Sequence, residues 1–423
     1  MSVEIGYCFN CNVPLRGHRC DICGKKGGTL KFHELGDIRS ASNYEREILT
    51  KIIPYKEVRN YLSKRLILLS KQPGLDYRKD VFVDGFKIGI MEYIKDGIWR
   101  WKFTPTGKGA ALFHILGRVE DFKIESKGHL KGKRIKKDIQ GDWAIFSSGK
   151  CIGVAVKTEK GTKVKDIYCG KIKTARKSSM KDAISANLGY LRKIENEAIE
   201  RIKRAKADYV AFSGGKDSET ALYLAYKAGV KRAIYANTGL EFPETERFAY
   251  NFADYLGIEL IEIRPKVDFW EMVEKLGIPT KDRRWCTKYL KLEELKKFKG
   301  TIVDGSRKYE SIGRMLRPQE SKLGNLRVIY PILDWLALDV WLFLEWKKLP
   351  HNPLYDMGYE RIGCFMCPSM LNSEFHNLKR THPELFEKWY GFLREKGYTH
   401  TEIMDGTWRW NTLPRKMKGI SKS

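Results

Sequence analysis

The sequence predicts an α/β protein: a doubly wound parallel sheet, preceded by a small metal-held unit and a β-rich segment. Three observations predict it. From residue 207 onward, short apolar runs alternate with amphipathic stretches, and strands that return through helices lie parallel. The first of those strands enters a glycine-rich turn that opens a helix, AFSGGKDSETA at 211–221. Near the start, Cys8, Cys11, Cys20 and Cys23 form a C-x2-C-x8-C-x2-C pattern, which suits four thiolates around one zinc ion.

Residues 1–32 are read as a zinc ribbon. Each cysteine pair sits on a knuckle, and a unit this short lacks the core to fold without its metal. Residues 33–110 are read as a small α/β segment. Apolar positions at helical spacing predict a helix over 45–70, interrupted at Pro54. A hairpin follows around the turn VDGF at 83–86. Residues 98–113, IWRWKFTPTGKGAALF, continue as strand and turn.

Residues 111–175 read as one β-rich segment, with 113–172 all-β: short strands separated by glycine-containing turns. Cys151 and Cys169 fall on these strands as ordinary buried residues. The run KGHLKGKRIKK at 127–137 is dense in positive charge and is read as an RNA phosphate contact. One helix is expected over 180–205, burying Ile184, Leu188, Leu191, Ile194, Ala198 and Ile202 on one face. Residues 176–350 read as the domain of the parallel sheet, with Pro243 at a helix start. Residues 351–423 are helical and basic and carry a second cysteine pair.

The net charge of +27 points to a polyanionic partner. No apolar run approaches the ~20 residues of a membrane helix, and MSVEIGYCFNC lacks a signal-peptide layout. A cytoplasmic protein is expected, in which nine cysteines suggest metal sites before disulfides.

In the glycine turn, Gly214 and Gly215 allow close backbone approach, and the helix start offers N–H groups to an anion. Lys216 adds charge; Ser213 and Ser218 add hydroxyls. The turn is not a Walker loop, because Val210 stands where its first glycine would be.

SGGKDS resembles the PP-loop of adenine nucleotide α-hydrolases. NTGLEFPETERF, RWCTKYLK, GSRKYESIGR, YPILDWLALDVW and NPLYDMGYERIGCFMCPS, in this order, resemble the phosphoadenylyl-sulfate (PAPS/APS) reductase family over residues 207–370. The resemblance implies an adenine nucleotide at the sheet edge with its phosphates or sulfate at 213–218. It implies Lys216 and Asp217 as catalytic groups, help from Glu241 and Glu244, and Arg307, Glu310 and Arg314 near the anion. Gly141-Asp142, a strand, Gly149 and IGVAVKT resemble a PUA domain, which implies a small β-barrel over 111–175, and FVDGFKIG with FTPTGKGA resembles the segment that precedes PUA domains in archaeal tRNA enzymes.

Iron–sulfur members of the family ligate a [4Fe–4S] cluster with a tandem cysteine pair and a later C-x2-C. Here the tandem position reads Trp285-Cys286, so the resemblance implies three thiolates, Cys286, Cys364 and Cys367. The alternative is zinc completed by His376 or His382. No cysteine follows Cys367, so the nucleophile of thiol-dependent reductases has no counterpart in this sequence.

The expected function is an ATP-dependent, [4Fe–4S]-dependent RNA sulfurtransferase acting on tRNA, using ATP and Mg2+ and a separate sulfur donor. Reduction of adenylyl sulfate with an external electron donor is one alternative. A nucleic-acid-binding protein with a vestigial nucleotide site is another, and sulfur modification of DNA a further one.

Overall fold

The computed structural model describes residues 3–32, 37–125, 128–415 and 417. The chain divides into two compact units, residues 1–190 and 191–423.

The first unit opens with β1 (Val3–Cys8), β2 (Val13–Leu15) and β3 (Gly28–Phe32), an antiparallel sheet of order β2-β1-β3. The two cysteine knuckles lie in its connections. Next come β4 (Ile38–Ser40), α1 (Asn43–Ile52), α2 (Lys56–Leu62), β5 (Leu68–Lys71), β6 (Arg78–Val83), β7 (Phe86–Asp96) and β8 (Ile98–Pro105). The five strands pair antiparallel in chain order. Asp84 and Gly85 take positive φ of 54° and 80°, so VDGF makes the tight hairpin its residues demand. Ser42 starts α1 through a capping box with Glu45. Burial would raise that carboxyl, but Arg39 at 2.6 Å and Lys79 hold it far below the usual range.

Two expectations are corrected here. The helical pattern breaks at Pro54 as read, but residues 68–71 are strand β5. Leu68 and Leu69 are buried between β4 and β6, and sheet pairing overrides their apolar spacing. Likewise, FTPTGKGAALF is not strand and turn throughout, and the all-β segment does not begin at 113. Thr106 caps α3 (Gly107–Gly117) by accepting the Gly109 N–H. The glycines that read as a turn are contact glycines: a Cβ on Gly109 would lie 1.8 Å from the Ile88 carbonyl oxygen, and one on Gly107 would lie 2.8 Å from the Ile167 backbone.

A mixed sheet follows from β9 (Phe122–Lys123), β10 (Arg134–Ile135), β11 (Trp143–Ser148), β12 (Cys151–Thr158) and β13 (Gly161–Tyr168), in the order β10-β13-β12-β11-β9. Cys151 and Cys169 are not separate buried thiols; they form a disulfide. Ile152 faces Tyr168, so positions 151 and 169 are the next opposed pair. Register brings them together, and spacing alone does not reveal it. Residues 128–137 of the basic run are described and include β10; residue 127 lies outside the described residues.

The helix expected over 180–205 is two, α4 (Met180–Ala186) and α5 (Leu188–Ala205). Asn187 makes the break: its side-chain amide donates to the carbonyls of Pro14 and Ala183, and its oxygen accepts the Arg16 N–H. Downstream, α5 buries Leu191, Ile194, Ala198 and Ile202 as expected.

The second unit is an α/β structure. Its elements are β14 (Tyr209–Phe212), α6 (Lys216–Lys227), β15 (Arg232–Ala236), α7 (Pro243–Leu256), β16 (Glu259–Ile263) and α8 (Phe269–Leu276). There follow α9 (Trp285–Thr287), a π-helical turn over Lys288–Leu292, α10 (Glu293–Leu295), β17 (Gly300–Val303), α11 (Ile312–Met315), β18 (Glu320–Leu323), β19 (Leu326–Ile329) and α12 (Ala337–Lys347). The last helices are α13 (Asn372–Thr381), α14 (Pro383–Glu395) and α15 (His400–Met404). The sheet order is β16-β15-β14-β17-β19-β18, parallel except for the edge strand β18.

The chain steps outward from β14 to β16 and then returns to place β17 on the other side of β14. This reversal creates the crevice where open α/β sheets bind ligands. Among the described residues, no helix is long and apolar enough to cross a membrane.

Candidate functional site

The β14–α6 turn lies at that crevice. Gly214 has φ +72°, and a Cβ there would meet Thr245 Cγ2 at 2.9 Å, so only glycine fits. Ser218 Oγ accepts the Ser213 N–H at 3.2 Å and donates to the Gly215 carbonyl at 2.9 Å. The two serine hydroxyls are 3.1 Å apart. Gly215 precedes the first residue of α6, and the unsatisfied N–H groups of a helix start favour an anion.

Asp217 joins the turn to the β17 side of the crevice. One oxygen accepts from Lys216 Nζ and the other from Arg307 Nε, both at 2.6 Å. Burial would raise this carboxyl, but Arg307 and Lys216 hold it at about 2. It is therefore ionised at neutral pH with both oxygens engaged by cations. The chain passes closely here, since a Cβ on Gly305 would lie 2.5 Å from the Asp217 carbonyl oxygen.

Arg307 is 1% exposed, and its Nη1 also donates to the Trp335 carbonyl. It meets the turn through Asp217. Glu310 accepts the Arg307 N–H at 2.9 Å and pairs with Arg314, which is partly exposed.

Glu219, one turn into α6, is fully buried, and neither carboxyl oxygen has a partner among the described residues. Burial raises it well above the glutamate range, the nearby Asp217 charge adds to the shift, and Lys216 opposes it. A carboxyl that holds its proton more tightly when folded favours folding at low pH and loses that advantage as pH rises past the ordinary glutamate range. Asp217 runs the other way: its contribution is complete above about pH 4 and is lost as pH falls toward 2. Glu219→Gln is therefore expected to raise stability at pH 7 by about 1 kcal/mol or more, with the gain vanishing near pH 4. Urea denaturation at both pH values measures it; equal gains would contradict the assignment of Glu219 as the source.

The second cysteine set lies beside this turn. Glu241 and Cys364 form an antiparallel bridge, and the Phe365 N–H donates to the Leu240 carbonyl at 3.0 Å. Glu241 accepts the Thr238 N–H at 2.8 Å and Lys291 Nζ at 3.3 Å. Thr238 Oγ1 is 3.9 Å from Cys364 Sγ. Cys286, Cys364 and Cys367 pack against one apolar cluster that includes Leu240, Phe242, Trp285, Leu290, Phe365 and Met366. Burial raises the Cys364 thiol to about 12, against the pull of Lys291. Burial also raises Cys286, and Cys367 adds to that shift.

A single tetrahedral metal holds its thiolates roughly 4 Å apart. Among the described residues, only Cys8, Cys11, Cys20 and Cys23 bring three or more such ligand atoms within 4.8 Å of one another. Cys286, Cys364 and Cys367 pack against the same cluster, and Cys367 acts electrostatically on both of the others, but the three do not come within that distance of one another. The two histidines weighed as zinc ligands are committed elsewhere. His376 Nε2 lies 2.7 Å from the Met404 carbonyl. His382 Nε2 lies 3.1 Å from Glu244, and its Nδ1 lies 2.9 Å from Thr381 Oγ1. Glu244 thus meets His382 rather than the glycine turn.

Sequence reasoning missed two residues of this site. Asn352 is fully buried and donates to the Gly214 carbonyl at 3.1 Å and to Thr245 Oγ1 at 3.2 Å. Tyr355 accepts the Lys216 N–H at 2.9 Å. The stretch NPLYD holds both; an asparagine before proline, between a helix and a cysteine pair, was the available signal.

In the first unit, Cys8, Cys11, Cys20 and Cys23 form the compact group, three of them buried, with Cys8 and Cys23 sulfurs 3.5 Å apart. The fit to one tetrahedral ion is good. Next to Cys11, buried Asn12 accepts from Tyr7 and donates to Asp84 at 2.8 Å and to the Arg176 carbonyl at 2.7 Å. Tyr61 donates to the second Asp84 oxygen at 2.5 Å.

Residues 208–370 match the model of the phosphoadenosine phosphosulfate reductase domain. An uncharacterized protein of Methanocaldococcus jannaschii is 38% identical over 417 residues, spanning 91% of this chain and 98% of that one. A phosphoadenosine 5'-phosphosulfate reductase of Xanthomonas campestris is 30% identical over 240 residues, spanning 52% of this chain and 93% of that enzyme. The structure of a phosphoadenylyl-sulfate reductase from Candida auris, a phosphate complex, aligns over 46% of this chain and 98% of that one, with 18% identity and a TM-score of 0.34.

Proposed function

Because the chain belongs to the phosphoadenosine phosphosulfate reductase family, with a nucleotide-binding second unit, we propose that it activates an RNA base with ATP and exchanges the base oxygen for sulfur. The observation that carries this reading is the separately folded first unit, which holds its own four-cysteine group. The reductase relative accounts for only 52% of the chain, and reduction of a small sulfated nucleotide has no evident use for the remainder. A PUA-like role for β9–β13, a zinc ribbon at residues 1–32 and the basic surface would together dock tRNA.

In this reading the ATP phosphates occupy the turn at 213–218. A base carbonyl oxygen attacks the α-phosphorus, and pyrophosphate leaves. Sulfur at the sulfide level then replaces AMP at the same carbon, so no net electrons are required. Lys216 and the start of α6 stabilise charge growing on the phosphate. Asp217 orders Lys216 and Arg307. Glu310 and Arg314 flank the opening. Cys286, Cys364 and Cys367 would hold a [4Fe–4S] cluster, which when bound would supply a site for sulfur. Thr238, Glu241 and Lys291 fix the cysteine segment beside the nucleotide.

Anaerobically purified protein should release pyrophosphate from ATP only when tRNA is present. Sulfite release from adenylyl sulfate without RNA would instead establish reduction, the reading favoured by the 30% identity to the Xanthomonas reductase.

A further inference from the structure

The Lys216 N–H is the first amide of α6, the kind of group that helix-start anion sites use. Here it does not face an open position. It donates to the Tyr355 hydroxyl at 2.9 Å. The ring is fixed by edge contact with Trp341, with centroids 5.2 Å apart at 84°. The neighbouring Asn352 ties the same segment to Gly214 and Thr245, so hydroxyl and glycine turn share one frame.

The hydroxyl also lies over the turn. A Cβ on Gly215 would come within 3.4 Å of it. Burial, then the Asp217 charge, push the phenol well above its ordinary range, so it carries its proton at neutral pH. That proton has no acceptor among the described residues. The hydroxyl therefore receives one hydrogen bond from the helix start and has one to give beside Gly215. Among the described residues, the N–H groups of Gly214, Gly215, Asp217 and Ser218 also have no acceptor, and they lie on the same stretch.

We propose that Tyr355 is a phosphate-binding residue that relays the Lys216 amide to an oxygen of the bound nucleotide by donating its own O–H. The amide polarises the hydroxyl, which strengthens its hydrogen bond to an anion. The hydroxyl extends the reach of the helix start past Gly215. This deepens the ATP-binding reading above and rests on it.

The test is calorimetric titration of the full chain and of Tyr355→Phe with ATP, adenosine and inorganic phosphate. Loss of one hydrogen bond to a charged acceptor should weaken ATP by about 10- to 100-fold. Adenosine affinity should be unchanged, and the melting temperature should stay within a few degrees. Inorganic phosphate should follow ATP if the turn alone holds the anion, and should not bind measurably if the nucleoside is needed to place it; both results keep the proposal. Equal ATP affinity in the two proteins would overturn the role of Tyr355 while leaving nucleotide binding intact. So would equal weakening of adenosine and ATP, which marks a merely loosened site. Failure of the unaltered chain to bind ATP would overturn the nucleotide reading and this proposal with it.

Discussion

Arg307→Met is expected to destabilise the chain by about 3–5 kcal/mol, the cost of removing one partner from a buried ion pair. The guanidinium is 1% exposed and lies 2.6 Å from Asp217. Methionine fills similar volume but leaves Asp217 with Lys216 as its one cationic hydrogen-bond partner. For a unit of this size the loss corresponds to a fall of roughly 6–20 °C in melting temperature. ATP binding should be lost as well, because Asp217 aligns Lys216 at the glycine turn. The remedy is specific: Asp217→Asn in the Arg307→Met background removes the stranded charge and should recover about half of the stability or more. If the double variant is as unstable as the sum of the single ones, the pair is not the source of the effect. Urea denaturation of all four proteins decides between these outcomes.

The second large effect concerns the first unit. Removing the ion that Cys8, Cys11, Cys20 and Cys23 would hold should unfold residues 1–32, since structural zinc supplies about 10–16 kcal/mol in small metal-folded units. The damage should spread. Asn12 follows Cys11 directly and ties that knuckle to Asp84 in the β6–β7 turn and to Arg176. Cys11→Ser is expected to lower bound zinc from one to none per chain and to expose the β6–β7 turn to proteolysis. Asn12→Ala should expose the same turn while keeping its zinc. Zinc retained at one equivalent in Cys11→Ser would contradict the assignment.

Where function needs particular residue types at short spacing, the sequence was legible. The four N-terminal cysteines, the SGGKDS turn and the strand–helix alternation after residue 207 all appear in the structure where spacing placed them. What eluded reading depends on partners distant in sequence. Gly107 and Gly109 looked like turn residues, yet they open a helix pressed against β7 and β13. Cys151 and Cys169 are joined by strand register across 18 residues. The partners of Arg307 are equally distant in sequence: its guanidinium donates to Asp217 and to the Trp335 carbonyl. Glu219 has the same character: burial from all sides raises its carboxyl well above the usual glutamate range, and its place near a helix start does not reveal that.

The bridge between Glu241 and Cys364 has a consequence for selectivity. Main-chain hydrogen bonds set the gap between the cysteine segment and Leu240 and Glu241, after β15, while Asn352, earlier in the chain, ties its own turn to Gly214. In the proposed reaction, the two halves of the chemistry would be mounted on one rigid caliper. Under the proposed function, a substrate would be accepted when its reactive atom can span that opening, so changes to the entrance should alter which molecules enter without altering how far the transferred atom must travel.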